Sequence, residues 1–105
     1  MGKDGVRVES WSGETAPDEA MLRRKLADEG VDPYRWSNGP GDVYSAHRYA
    51  YHKVIYVVRG SITFGLPEHG EEVTLHAGDR LELPAGVAHD AVVGGEGVVC
   101  LEAHQ

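Results

Sequence analysis

Short apolar runs separated by turn residues are the strongest constraint on what this chain can fold into. From Tyr34 onward, such runs recur at Val54–Val58, Ile62–Leu66, Val73–Leu75, Leu81–Leu83, Ala91–Val93 and Val98–Leu101. The segments that close them are rich in turn formers and comprise Arg59–Gly60, Pro67–Gly70, Ala77–Asp79, Pro84–Gly86 and Gly94–Gly97. Short strands at this spacing, with no long helical pattern between them, predict an antiparallel sandwich or barrel.

The apolar runs also bear on assembly. Several of them, such as Val54–Val58, are apolar on both faces of a strand. A sheet with one face open to water would alternate more cleanly between apolar and polar residues. The pattern therefore predicts a closed barrel, or a homodimer in which the partner covers the outer face.

The first forty residues have a different texture. Val6–Trp11 alternates like an edge strand, and a helix is expected next, with Thr15 as its N-cap, Pro17 in its first turn and Gly30 at its end. Such a partly apolar helix is typical of one that covers a sheet. Because 105 residues suffice for one core, we expect a single domain. Residues 1–40 would form an N-terminal strand, capping helix and loop, and residues 41–105 the barrel.

Composition excludes several classes of partner. Seventeen acidic and ten basic side chains give a formal charge of −7, which opposes binding to a nucleic-acid backbone. No apolar run is long enough to cross a bilayer and no secretory leader is visible, so we expect a cytoplasmic protein without a membrane partner. The single cysteine, Cys100, has no intramolecular disulfide partner and is interpreted as a small buried hydrophobe.

Two segments carry a specific pattern of glycine, proline and histidine. The first contains, in order, Gly41, His47, Tyr49, Lys53 and Gly60. The second contains Gly78, Pro84, Gly86 and His89, with Val93 at its last position. Together they resemble the two motifs of the cupin family, whose members are jelly-roll barrels. The resemblance implies an all-β fold, a jelly-roll cupin β-barrel with one short N-terminal helix.

The resemblance also implies a divalent transition metal, namely manganese, iron, nickel or zinc. In the family, two histidines and a glutamate of the first motif and the histidine of the second motif bind it. This sequence keeps His47 and His89, but Tyr49 replaces the second histidine and Lys53 replaces the glutamate. An ammonium group cannot ligate a cation, so His47 and His89 need a further ligand.

The register of the first motif decides whether His52 is that ligand. Strict alternation from His47 places Lys53 inside the barrel and His52 outside. A one-residue bulge would reverse this arrangement. Since burying an unpaired ammonium costs several kcal/mol, we favour the bulge and expect a metal site formed by His47, His52 and His89.

Three functions are compatible with these residues. The first is a metal-dependent enzyme of dioxygenase or isomerase type that acts on a small organic molecule, with Tyr49 and Lys53 as candidate catalytic residues. The second is a metal-free cupin that binds a small acid or sugar, with Lys53 inside the barrel as anion partner or base. The third is a non-catalytic sensor or storage module, because the fold alone hosts many activities.

Overall fold

The structure is a computed structural model and describes residues 5–105. Within this range the chain forms one helix and seven strands: β1 (Arg7–Glu9), α1 (Glu19–Asp28), β2 (Tyr34–Asn38), β3 (Val43–His47), β4 (Lys53–Leu66), β5 (Glu71–His76), β6 (Arg80–Leu83) and β7 (His89–His104). No helix in this part of the chain has the length and apolar character needed to cross a bilayer. The all-β fold with one short helix is confirmed.

Two long strands organise the sheet. β4 and β7 pair with each other along most of their length, and the sheet order is β1-β6-β4-β7-β2. In addition, β5 pairs with β4 and β3 pairs with β7, whereas β1 pairs only with β6. All of these pairs are antiparallel. Both N-terminal strands, β1 and β2, therefore belong to the same sheet as the strands of residues 41–105.

The turns predicted at Arg59–Gly60 and at Gly94–Gly97 are absent. Both segments instead lie inside β4 and β7, where the pairing register shifts. Gly60 has φ +81°, and a Cβ there would lie 2.0 Å from the carbonyl oxygen of Gly97. The glycines thus allow two strands to bend while they remain paired, as at a β-bulge, and they do not end them.

The sheet has an apolar core on each face. Inside the barrel, the core of β4 comprises Ile55, Val57, Ile62, Phe64 and Leu66. On the outer face, the helix residues Leu22 and Leu26 pack with Val54, Tyr56, Leu101 and Ala103. The apolar residues on both faces of Val54–Val58 are therefore explained partly by α1. Cys100 is buried in the inner core, as expected, and burial raises the pKa of its thiol to about 12.

The N-terminus of the helix differs from the prediction. Asp18, not Thr15, is the N-cap, because its carboxylate oxygen Oδ1 accepts a hydrogen bond from the backbone N–H of Met21 at 2.8 Å. Pro17 consequently precedes the helix and is not part of its first turn. Gly30 follows the C-cap residue in the left-handed region, with φ +79°, as expected for a helix end.

Candidate functional site

An aromatic cavity of about 260 Å³ opens at one end of the barrel. Strands β2, β3, β4 and β7 and the loop before β4 contribute its walls. The aromatic lining residues are Tyr34, Trp36, Tyr44, Tyr49, Tyr51 and Phe64, and the titratable ones besides the tyrosines are His47, Lys53, His89, Asp90 and Glu102. A volume near the lower end of small-molecule sites, about 300–1,000 Å³, suits a ligand of modest size.

Lys53 brings a positive charge to this cavity. It is the first residue of β4 and shares its face of the strand with Ile55, which belongs to the inner core. Its ammonium nitrogen lies 3.3 Å from Oε2 of Glu102 and 3.6 Å from the ring centroid of Tyr49. Both Lys53 and Glu102 are buried. The pair is thus held by a short ion contact and a cation–π contact.

Glu102 is surrounded by hydrogen-bond donors. Its Oε2 atom accepts hydrogen bonds from the Tyr34 hydroxyl at 2.7 Å and is 2.8 Å from Nε2 of His104. Its Oε1 atom accepts one from the Trp36 indole N–H at 3.1 Å. Burial tends to raise the pKa of Glu102, but the contacts with His104, Tyr34 and Lys53 outweigh it and lower that pKa. Glu102 is therefore an ionised anchor for Lys53.

His89 faces the cavity with a defined tautomer. Its Nδ1 atom lies 3.2 Å from the backbone carbonyl oxygen of Val87, which can only accept, so Nδ1 carries the hydrogen. Nε2 is then the acceptor nitrogen of the neutral ring. Burial lowers the pKa of His89 and favours this neutral form. The ring stacks on Tyr49 with centroids 5.3 Å apart.

His47 lies at the end of β3, directly opposite His89 in the strand pairing. Cross-strand partners point to the same side of a sheet, so both imidazoles border the cavity. The His47 ring centroid is 6.2 Å from that of Tyr49, and the residue is exposed. The structure thus brings together four of the five predicted site residues, His47, Tyr49, Lys53 and His89.

The fifth, His52, is not part of the cavity, and the predicted bulge that would turn it inward is wrong. Its Nε2 atom lies 3.9 Å from a carboxylate oxygen of Glu82, and neither His52 nor Glu82 lines the cavity. Lys53 faces inward in its place. The argument against a buried lysine assumed that it would be unpaired, whereas Glu102, far away in sequence, supplies the opposite charge.

Sequence reasoning missed Glu102 and its partner His104. A signal was present, because Glu102 interrupts the apolar run that ends β7. A lone charge in such a run is expected to be paired if it is buried. The sequence could not show that Lys53 is the residue that pairs with Glu102, however, because the two meet only through the pairing of β4 with β7.

Comparison with known proteins decides the family. The cupin domain model matches residues 34–103, which include every strand of the cavity wall. The chain belongs to the cupin family. No curated protein matches this cupin.

Solved structures share the cupin's fold at low sequence identity. A cupin superfamily protein from Desulfitobacterium hafniense is 14% identical, with 99% of this chain and 80% of that chain covered and a TM-score of 0.62. The polyketide cyclase RemF from Streptomyces resistomycificus is 24% identical, with 70% of this chain and 54% of that chain covered and a TM-score of 0.63. The DMSP lyase DddQ from Ruegeria pomeroyi is 19% identical, with 71% of this chain and 38% of that chain covered and a TM-score of 0.65. The aligned part thus spans about half of the cyclase and less of the lyase, and the likeness concerns the fold alone.

The residues of this cupin do not fit the divalent metal that its family resemblance implies. Among residues 5–105, no group of three or more His, Cys, Asp or Glu side chains is placed to hold a metal ion. The cavity offers two imidazoles, His47 and His89, and two ligands rarely hold a metal. The nearby ammonium of Lys53 would also repel a cation. Glu102 already accepts contacts from four other side chains.

Proposed function

We propose that this cupin binds a small organic carboxylate in its aromatic cavity, with the Lys53 ammonium as the charged partner and without a metal. The observation that carries the proposal is the buried Lys53–Glu102 pair at 3.3 Å on the cavity wall. An ammonium group has three N–H donors, and Glu102 accounts for one ion contact. Donors therefore remain for the oxygen atoms of a ligand.

The surroundings of Glu102 support an anionic ligand despite the negative charge nearby. Tyr34, Trp36 and His104 direct hydrogen-bonding groups at its two oxygens, which disperse and shield the carboxylate charge. Lys53 supplies a positive charge that borders the open space, which Asp90 also lines. Imidazoles of His47 and His89 lie on the same wall and add polar contacts without a permanent negative charge.

The aromatic walls support a flat ligand. Six aromatic side chains line the cavity, and aromatic rings gain about 0.5–1.5 kcal/mol from mutual packing beyond the burial of apolar area. Phe64 and Trp36 contribute to the inner core as well as to the cavity, so these walls are preformed. An aromatic carboxylate such as benzoate is therefore the appropriate first probe.

Calorimetric titration tests this proposal. Benzoate should bind the wild-type protein, and benzamide, which has the same shape without the charge, should bind at least about tenfold more weakly, since hydrogen bonds to charged groups contribute about 1.5–3 kcal/mol. Lys53→Met should lose the preference for benzoate. The control Lys25→Met changes an exposed lysine on α1 and should keep it.

Two results would contradict the proposal. One is equal affinity of the wild type for benzoate and benzamide, and the other is an unchanged preference for benzoate in Lys53→Met. Lys53→Gln provides a second variant that keeps a polar side chain, in case loss of the ion pair unfolds the methionine variant. Circular dichroism on each variant establishes that the folded protein is being titrated.

A further inference from the structure

We propose, on the basis of the carboxylate site above, that the ligand also carries a hydroxyl group, which donates a hydrogen bond to Nε2 of His89. The ligand class is then a small aromatic hydroxy acid. Two features of the cavity support this class: the tautomer of His89 and the free position of its Nε2 atom. Neither feature involves a hydrogen bond to Lys53.

The tautomer makes His89 an acceptor towards the cavity. A backbone carbonyl has no hydrogen to donate, so the contact between Nδ1 and the Val87 oxygen requires the hydrogen on Nδ1. The neutral ring then has its lone pair on Nε2. This assignment makes the cavity chemically asymmetric, because Lys53 only donates hydrogen bonds and His89 presents an acceptor.

The Nε2 atom of His89 is open to the cavity. The described residues contain one buried side-chain nitrogen or oxygen that lacks a hydrogen-bond partner, and that atom belongs to His52. No protein group in residues 5–105 bonds Nε2 of His89, although the residue as a whole is 8% exposed. Its Nε2 atom is consequently reached from the cavity, which His89 lines. A hydroxyl group of a ligand can donate a hydrogen bond to it.

One small molecule can reach both groups, because Lys53 and His89 line the same cavity beside Tyr49. The Lys53 ammonium lies 3.6 Å from the Tyr49 ring centroid, and the His89 ring is stacked on that ring at 5.3 Å. The complement of a donor and an acceptor in one cavity is an oxygen anion and a hydroxyl on the same ligand. A second carboxylate would face the lone pair of Nε2, so a dicarboxylate is disfavoured.

The test compares benzoate with 2-, 3- and 4-hydroxybenzoate and with their methoxy counterparts by calorimetry. At least one hydroxybenzoate should bind about 3- to 10-fold more tightly than benzoate, the range of one neutral hydrogen bond. Its methoxy counterpart, which lacks the donor, should lose this gain. In His89→Phe, which keeps an aromatic ring without an acceptor, the affinity ratio of hydroxybenzoate to benzoate should fall to about one.

The control variant His76→Ala removes an exposed histidine on β5 and should keep the wild-type ratio. His89→Ala is the second variant if the phenylalanine does not fit. Benzoate binding with no gain from any hydroxyl position, or a gain that persists in both His89 variants, overturns this inference and leaves the carboxylate site standing. Failure of both benzoate and the hydroxybenzoates to bind overturns the carboxylate site, and this inference with it.

Discussion

At the residue scale, Glu102 couples the stability of the protein to pH. Because its pKa is lower in the folded protein than the ordinary value of 4.5, its stabilising effect is complete above about pH 4.5 and is lost as the pH falls through the folded value. Glu102→Gln should therefore lose less stability on acidification than the wild type. At neutral pH the variant should be less stable by about 3–5 kcal/mol, since Lys53 remains buried without its partner.

Urea unfolding at a series of pH values measures both effects. Glu68→Gln is the matched control, because Glu68 pairs with Arg48 on the exposed surface and its charge is screened by water. A Glu102→Gln variant with the wild-type stability at neutral pH would contradict the role of Glu102 as the anchor of Lys53.

The same residues show how far the sequence predicted the site. His47, Tyr49, Lys53 and His89 were identified from motif spacing, because the motif fixes which strand positions border the barrel mouth. The direction of the Lys53 side chain was not predicted. Strict alternation along the strand placed it inside the barrel, whereas the cost of burying an unpaired charge placed it outside. Only the pairing of β4 with β7, which brings Glu102 to Lys53, resolves this conflict. Contacts so distant in sequence leave no local pattern.

At the scale of elements, the positions of the strands were predictable and their continuity was not. Glycine clusters normally end strands. The sequence therefore predicted two separate strands where the structure has β4, and two where it has β7. In the structure, Gly60 pairs with Val98 and lies against the Gly97 carbonyl, and the register of the pair shifts before it resumes at Ile62 and Val93. The helix was predicted at its correct place, but Asp18 caps it and the predicted Thr15 does not.

Gly60→Ala tests the bent strands. A Cβ at Gly60 would meet the Gly97 carbonyl at 2.0 Å, and the left-handed backbone there costs a non-glycine residue about 1–2 kcal/mol before any clash. The variant should therefore be destabilised by more than this amount in thermal or urea unfolding. The control Gly95→Ala, where a Cβ meets nothing within 4 Å, should change stability little. Equal stability of both variants would contradict the close approach of β4 and β7.

At the scale of the whole molecule, the prediction of a homodimer now concerns a smaller surface. Helix α1 covers part of the outer sheet, but Val43 and Val92, which are paired across β3 and β7, remain 72% and 44% exposed. We expect light scattering to give twice the chain mass of 11.4 kDa. Val43→Asp should yield the monomer, and Val8→Asp on β1 should not. A wild-type monomer at micromolar concentration would contradict this expectation.

The central claim is that Lys53, paired with Glu102, stands at the motif position of a metal-binding glutamate and that this cupin holds no metal, and metal retention tests it most directly. The protein is incubated with excess manganese, iron, nickel or zinc, desalted, and analysed for bound metal. We predict far less than one ion per chain, equal in the wild type and in His89→Ala, because two imidazoles beside an ammonium make a poor site. One tightly held ion per wild-type chain that His89→Ala loses would contradict the account.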